Sequence, residues 1–212
     1  MRWPNINDLV GALPVPSGYR LEQLRRSDIP ELVSCFQTWF PDIAVGGESC
    51  WHREGFYEQE VSLAGEPETG IIVFVTRSAQ ELVAMFSLER REDMLTLYCR
   101  VGAVAPAHRG EKLAHIAFSA LEPIGRAMGM AVIYFFATLQ HPVTQMAAEK
   151  YGFQLIGIVP ASDRLMVAPG VIKHVYEAVY VKVLAAPSDV LRPSAENLTP
   201  RVKALFDYLF GK

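Results

Sequence analysis

Arg109, Gly110 and Lys112 are the residues whose types and spacing are best suited to chemistry in this chain of 212 residues. Two cationic side chains flank a glycine in the turn Ala107-His108-Arg109-Gly110-Glu111-Lys112, and an apolar-periodic run follows at once. The first backbone N–H groups of a helix lack an internal partner, and the macrodipole adds roughly half a positive charge at that end. A basic, glycine-containing turn that opens a helix is therefore an anion site.

The elements on either side are the ones such a turn needs. Leu113, Ile116, Ala117, Ala120, Leu121, Ile124 and Met128 follow the rhythm of a helix with one buried stripe, and Gly129 is its C-cap. Upstream, a strand over Met94 to Val104 breaks at Val104-Ala105-Pro106. Downstream, Met130 to Leu139 carries Val132, Ile133, Tyr134, Phe135 and Phe136, too short to cross a membrane and expected as a strand covered on both faces. His141-Pro142 opens a second helix that runs to Tyr151-Gly152-Phe153, and Gln154 to Val159 reads as a further strand.

The stretch from Leu95 to Val159 resembles the core of the GCN5-related N-acetyltransferase (GNAT) family. That family uses Val-x-Pro, then an Arg or Gln followed by Gly and by Gly or Ala, to hold the pyrophosphate of acetyl-CoA. Here Arg109-Gly110-Glu111-Lys112-Leu113-Ala114 supplies the arginine and the final small residue, with Lys112 where the family usually has its central glycine. The family's next helix begins Asn-Pro, carries Ala and then Tyr, and ends Gly-Phe. This chain has His141, Thr144 and Ala148 at the Asn, Ala and Tyr positions and keeps Gly152-Phe153.

The resemblance implies a mixed α/β fold of the acyl-CoA N-acyltransferase type, a mostly antiparallel sheet of roughly six to seven strands flanked by helices. It implies transfer of an acetyl group from acetyl-CoA to a primary amine by direct attack in a ternary complex, without a metal. Val101, Gly102, Ala103 and Val104 would hold the pantetheine arm, and the Gly102 N–H would face the thioester oxygen as an oxyanion donor. Arg109, Gly110, Glu111, Lys112, Leu113, Ala114 and His141 would hold the rest of the cofactor, Glu111 through its backbone. Tyr151 is the tyrosine closest to the position whose hydroxyl protonates the leaving thiolate in many members; a core or rim aromatic is its other reading. Lys112 and Ala148 keep a second function open, an acyl-CoA-binding or sensing protein without turnover, and beside it an acyltransferase for longer chains.

Composition sets the outer bounds. The chain is 50% hydrophobic and 20% charged, enough for one well-buried core, and its net charge of −3 offers no broad basic field for nucleic acid. Cys35, Cys50 and Cys99 are an odd number without metal-ligand spacing, and no basic segment leads into an apolar run, so a reduced cytoplasm is expected rather than export or a membrane. A first strand is expected over Tyr19 to Leu24, and a helix capped by Ser27 or Asp28 runs to Phe40 with Pro30 in its first turn. A second helix lies within Glu48 to Leu63, and strands follow at Ile71 to Thr76, Leu82 to Leu88 and His174 to Leu184.

Residues 1–18 are expected to be irregular, 19–184 to form the catalytic domain, and 185–212 to be a linker and a C-terminal helix. Thr199 caps that helix and Pro200 starts it; its stripe of Val202, Leu205, Phe206 and Leu209 packs on its own domain or on a second copy in a homodimer. Glu48, His52, Glu89, Tyr98 and Arg100 are the residues placed to serve as base or to line the site of a small-molecule or peptide amine. Trp39, Trp51, Phe56 and Tyr57 are apolar walls of that site or core.

Overall fold

Apolar alternation and glycine punctuation divide residues 1–211, which the computed structural model describes, into eight strands and six helices. In chain order they are α1 (Ile6–Val10), β1 (Tyr19–Gln23), α2 (Ile29–Trp39), α3 (Glu54–Glu60), β2 (Val61–Ser62), β3 (Ile71–Ser78) and β4 (Glu81–Arg91), followed by β5 (Thr96–Val104), α4 (Leu113–Ala127), β6 (Val132–Thr138), α5 (Val143–Lys150), β7 (Gln154–Ala168), β8 (Val171–Val183) and α6 (Pro200–Phe210). The strands form one sheet in the order β1-β3-β4-β5-β6-β8-β7, with the short β2 added to β3. Neighbours run antiparallel except β2 on β3 and β5 on β6. The β5–β6 pair is parallel because α4 carries the chain back between them. No described helix is long and apolar enough to cross a membrane.

Two cores lie on the two faces of this sheet. On one, Ile72, Phe74, Phe86 and Leu97 meet Ile116, Leu121 and Ile124 of α4 and Ile133, Phe135 and Tyr180. On the other, Val73, Val75 and Met85 meet Leu32 and Phe36 of α2 with Trp51 and Tyr57. The second core stops at β5; no residue of β6, β7 or β8 belongs to it. β6 is therefore covered on one face only: Ile133, Phe135 and Ala137 are buried, and Val132, Tyr134, Phe136 and Thr138 are half-buried. This corrects the expectation of a strand covered on both sides, because the helices that would cover the second face end one strand earlier.

Three other expectations change. Residues 1–18 contain α1, whose N-cap Asn5 accepts from the Asn7 N–H, and they bury Trp3, Ile6 and Leu13 in the first core. β7 continues nine residues past Val159 to Ala168, because it pairs with β8 in a long hairpin. Asp28 precedes α2 without a side-chain capping bond; its carboxylate takes the Arg25 N–H and the Arg77 guanidinium instead. The C-terminal helix forms with Thr199 as its cap, and none of its residues is buried.

Candidate active site

The site begins with a gap in the sheet. β5 and β6 pair through Thr96↔Val132, Leu97↔Ile133 and Tyr98↔Tyr134, and then separate. The cause lies on the opposite edge of β5, where Phe86 pairs with Gly102 but Leu88 pairs with Cys99, so Arg100 and Val101 share the single partner Ser87. This is a β-bulge, which bends and twists the strand that carries the extra residue. The wholly buried Ser87 hydroxyl pins it, donating to the Val101 carbonyl at 3.2 Å and accepting from the Val101 N–H at 3.1 Å.

Beyond the bulge the Ala105 N–H donates to Val83 at 2.8 Å. Hydrogen-bonding direction alternates along an antiparallel ladder, so the backbone groups of Gly102 and Val104 turn away from β4 to the open edge. Arg109 Nε donates to the Val104 carbonyl there, at 3.3 Å. A Cβ at Gly102 would meet nothing nearer than Met85 O at 4.0 Å, so packing within the protein does not require the glycine. Its bareness leaves room at the open edge.

β5 leads straight into the basic turn. Pro106–His108 makes one 3-10 turn, held to β1 by a Tyr19 hydroxyl to His108 Nδ1 contact of 3.1 Å. Gly110 follows with φ of +101°, and Lys112 adopts φ of +62° as the N-cap of α4, with no side-chain capping bond. Among the described residues no protein group accepts from the N–H of Gly110, Lys112, Leu113 or Ala114. Arg109 is exposed, its guanidinium 5.6 Å from the centre of the Phe40 ring. His115 stands one turn inside α4, and burial, then Lys150, then Lys112 push its pKa down. A helix end with free donors and Arg109, Lys112, Lys150 and His115 around it is an arrangement that can hold an anion.

Tyr151 lies at the other side of that cluster. It caps the C-terminus of α5, stacks on Phe118 at 5.9 Å, and its hydroxyl meets His115 Nδ1 at 3.1 Å. Ala148, at the position where the family has its tyrosine, is completely buried. His141 is exposed ahead of α5, and its carbonyl accepts from Gln145 Nε2. The structure thus gathers Arg109 to Ala114 at one helix end, sets Val101 to Val104 on the strand leading to it, and joins Tyr151 to α4 rather than to β5.

The face of β6 that the second core leaves uncovered, together with the β5 residues beside it, forms the second half of the candidate site. Tyr98 stacks on Tyr134 at 4.8 Å with Phe136 edge-on to it, and the Arg91 guanidinium lies over both tyrosines. Arg100 projects from the bulge over Trp51 and Phe56, with Glu48 Oε2 at 3.4 Å and Glu89 Oε2 at 3.5 Å. Glu48 Oε2 also accepts from Trp51 Nε1. Burial pushes the Glu48 carboxyl above its ordinary range and Asp163 adds to the push, against the pull of Arg100 and Trp51. Glu177 on β8 is likewise raised, by burial and then by Asp163.

Glu48, Glu89, Tyr98 and Arg100 therefore meet on one surface. His52 does not join them: it packs edge-on against Phe36, burial lowers its pKa, and its buried Nε2 has no partner among the described residues. Trp51 and Tyr57 are core, while Trp39 and Phe56 are half-buried. Sequence reasoning missed Ser87 and Asp163. A lone serine inside the apolar run Leu82 to Leu88 was a usable signal for the first.

No protein-family model matches the sequence, and no curated protein does. Solved structures do match. The spermidine/spermine N-acetyltransferase SpeG from Vibrio cholerae is 15% identical with a TM-score of 0.62, over 79% of this chain and 95% of that one. YncA from Salmonella typhimurium, solved with its cofactor acetyl-CoA, is 15% identical with a TM-score of 0.59, over 84% of this chain and 99% of that one. The IAA acetyltransferase from Bacillus cereus is 13% identical with a TM-score of 0.56, over 78% and 99%. At these identities the likeness is one of architecture, and this chain has the acyl-CoA N-acyltransferase fold of the GNAT acetyltransferases.

Proposed function

We propose that this protein transfers an acetyl group from acetyl-CoA to a primary amine by direct attack, with both substrates bound at once. The observation that carries the reading is the gap after Tyr98↔Tyr134, which leads along an open backbone edge to the free N–H groups of α4 and Arg109. An elongated ligand with amides along one part and phosphates at one end fits that sequence of donors. Arg109 and the Gly110 to Ala114 backbone would hold the pyrophosphate, with Lys112 adding charge, and Val101 to Val104 the pantetheine arm. The Gly102 N–H is the donor for the oxyanion that develops on the thioester oxygen.

The acceptor would lie on the uncovered face, where Glu48, Glu89 and Glu177, whose charge reaches Tyr98, outnumber Arg100 and Arg91 beside the Tyr98–Tyr134 pair. Carboxylates and aromatic faces suit a cationic amine. SpeG is named for spermidine and spermine. Holding both reactants in one cleft makes the attack effectively unimolecular, which contributes much of the rate. A second reading, binding of acyl-CoA without turnover, draws on Ala148 at the family's tyrosine position and on the Tyr151 hydroxyl already engaged by His115.

Calorimetry with acetyl-CoA separates these readings, with desulfo-coenzyme A and ATP as controls, followed by a thiol-release assay over a panel of amines. We expect wild-type binding that weakens about tenfold or more in Arg109→Ala, equivalent to about 1.4 kcal/mol, and amine-dependent release of coenzyme A. Binding without release under any amine would favour the sensing protein, and absence of binding would refute both.

A further inference from the structure

The β7 arm makes a contact that neither the sheet nor the cofactor needs. Asp163 Oδ1 accepts from the Gly47 N–H at 2.8 Å, a bond between residues 116 apart in sequence. Gly46, with φ of +87°, lies so close against β7 that a Cβ there would stand 2.4 Å from both Asp163 Oδ1 and the Arg164 carbonyl. The loop is thus pressed onto the arm at Gly46 without space for a side chain, and Glu48 stands two residues on.

Glu48 is arranged unlike a structural carboxylate. Its Oε2 takes both Trp51 Nε1 and Arg100, whereas its Oε1 has no partner among the described residues. Its side chain keeps 22% of its exposure, and Arg100 stands on β5 two residues before Gly102. On the reading that the protein acetylates an amine, we propose that Glu48 takes the acceptor's proton and that Asp163 is the positioning residue that holds it in place.

The step balances. An ammonium donates one proton to Glu48 Oε1, and the neutral amine attacks the thioester carbonyl, forming N–C. The C–S bond then breaks, with its electron pair leaving on the coenzyme sulfur. The second proton of the nitrogen goes to that thiolate, and Glu48 returns the first to solvent.

The charged and titratable groups around Glu48 are Cys50 from its own segment, Tyr98, Cys99 and Arg100 from β5, Glu89 from β4 through Arg100, Asp163 from β7 and Glu177 from β8 behind Asp163. Only the ionised carboxylate accepts the proton, so kcat/KM should rise with pH through the titration of Glu48. Asp163 disfavours that ionised form. Removing its charge should move the acid limb to lower pH.

The test measures amine-dependent coenzyme A release against pH for wild type, Glu48→Gln, Asp163→Asn and Asp163→Ala, with thermal unfolding to check that each is folded. Glu48→Gln should lower kcat/KM by about 100-fold or more. Asp163→Asn keeps an acceptor for the Gly47 N–H, so it should hold the plateau while shifting the acid limb to lower pH. Asp163→Ala frees the loop and should lower kcat on the plateau by about tenfold. Wild-type turnover with Glu48→Gln within twofold of it, or an acid limb unmoved in Asp163→Asn, would overturn the assignment and leave acetyl transfer standing. A wild type that acetylates no amine would overturn the acetyl-transfer reading itself, and this role with it.

Discussion

Lys112 occupies a backbone conformation, φ of +62° and ψ of 18°, that costs an L-residue about 1–2 kcal/mol and that glycine adopts freely. The departure from the family pattern that the sequence displays is thus a side chain placed on a backbone conformation suited to glycine. Lys112→Gly should therefore raise the unfolding free energy by about 0.5–1 kcal/mol, the relief of strain less the greater chain entropy of glycine. Urea denaturation measures the first effect. On the proposed assignment of Lys112 to the pyrophosphate, calorimetry should show acetyl-CoA affinity falling severalfold; equal or tighter binding would mean that Lys112 lies outside the phosphate site.

At the level of elements, the bulge decides where β5 leaves β6, and Ser87 holds the bulge. Ser87→Ala would leave the Val101 N–H and C=O without their buried partner, which should cost about 1–3 kcal/mol in chemical denaturation. It should also weaken acetyl-CoA binding, since the open edge would lose its fixed course. Elements whose signal is local were legible in the sequence: α4 is there in the spacing from Leu113 to Met128, and the basic turn precedes it in plain order. Coverage was not legible, since Tyr134 and Phe136 belong to the same β-branched and aromatic run as the buried Ile133 and Phe135, and only the extent of α2 and α3 tells the two faces apart. The far half of β7 hid behind Pro160, Ser162 and Asp163, which break an apolar pattern; pairing with β8 makes it a strand. The bond from Asp163 to Gly47 leaves no local trace at all.

For the whole molecule, the sheet unites two unequal halves, and α6 stands outside both. Its Val202, Leu205 and Tyr208 are exposed, and its polar ties are Gln154 to the Leu209 carbonyl and Arg192 to the Phe210 carbonyl. Deleting the chain from Pro200 onward should change the unfolding free energy by less than about 1 kcal/mol and leave acetyl-CoA affinity intact. A larger loss, read by urea denaturation at two protein concentrations, would mean that the helix is buried against something, and dependence on concentration would identify that something as another copy.

Three residue pairs between β5 and β6, with the Ala131 and Val132 N–H groups donating to the Leu95 carbonyl beside them, form the backbone seam between the halves of this sheet. Past them the protein is an unfinished fabric, and a ligand laid in the gap with amides along its length would act as the missing strand. Because a ligand that binds only the folded form adds stability in proportion to the logarithm of its concentration, the tenacity of this fold becomes a gauge of how much ligand surrounds it.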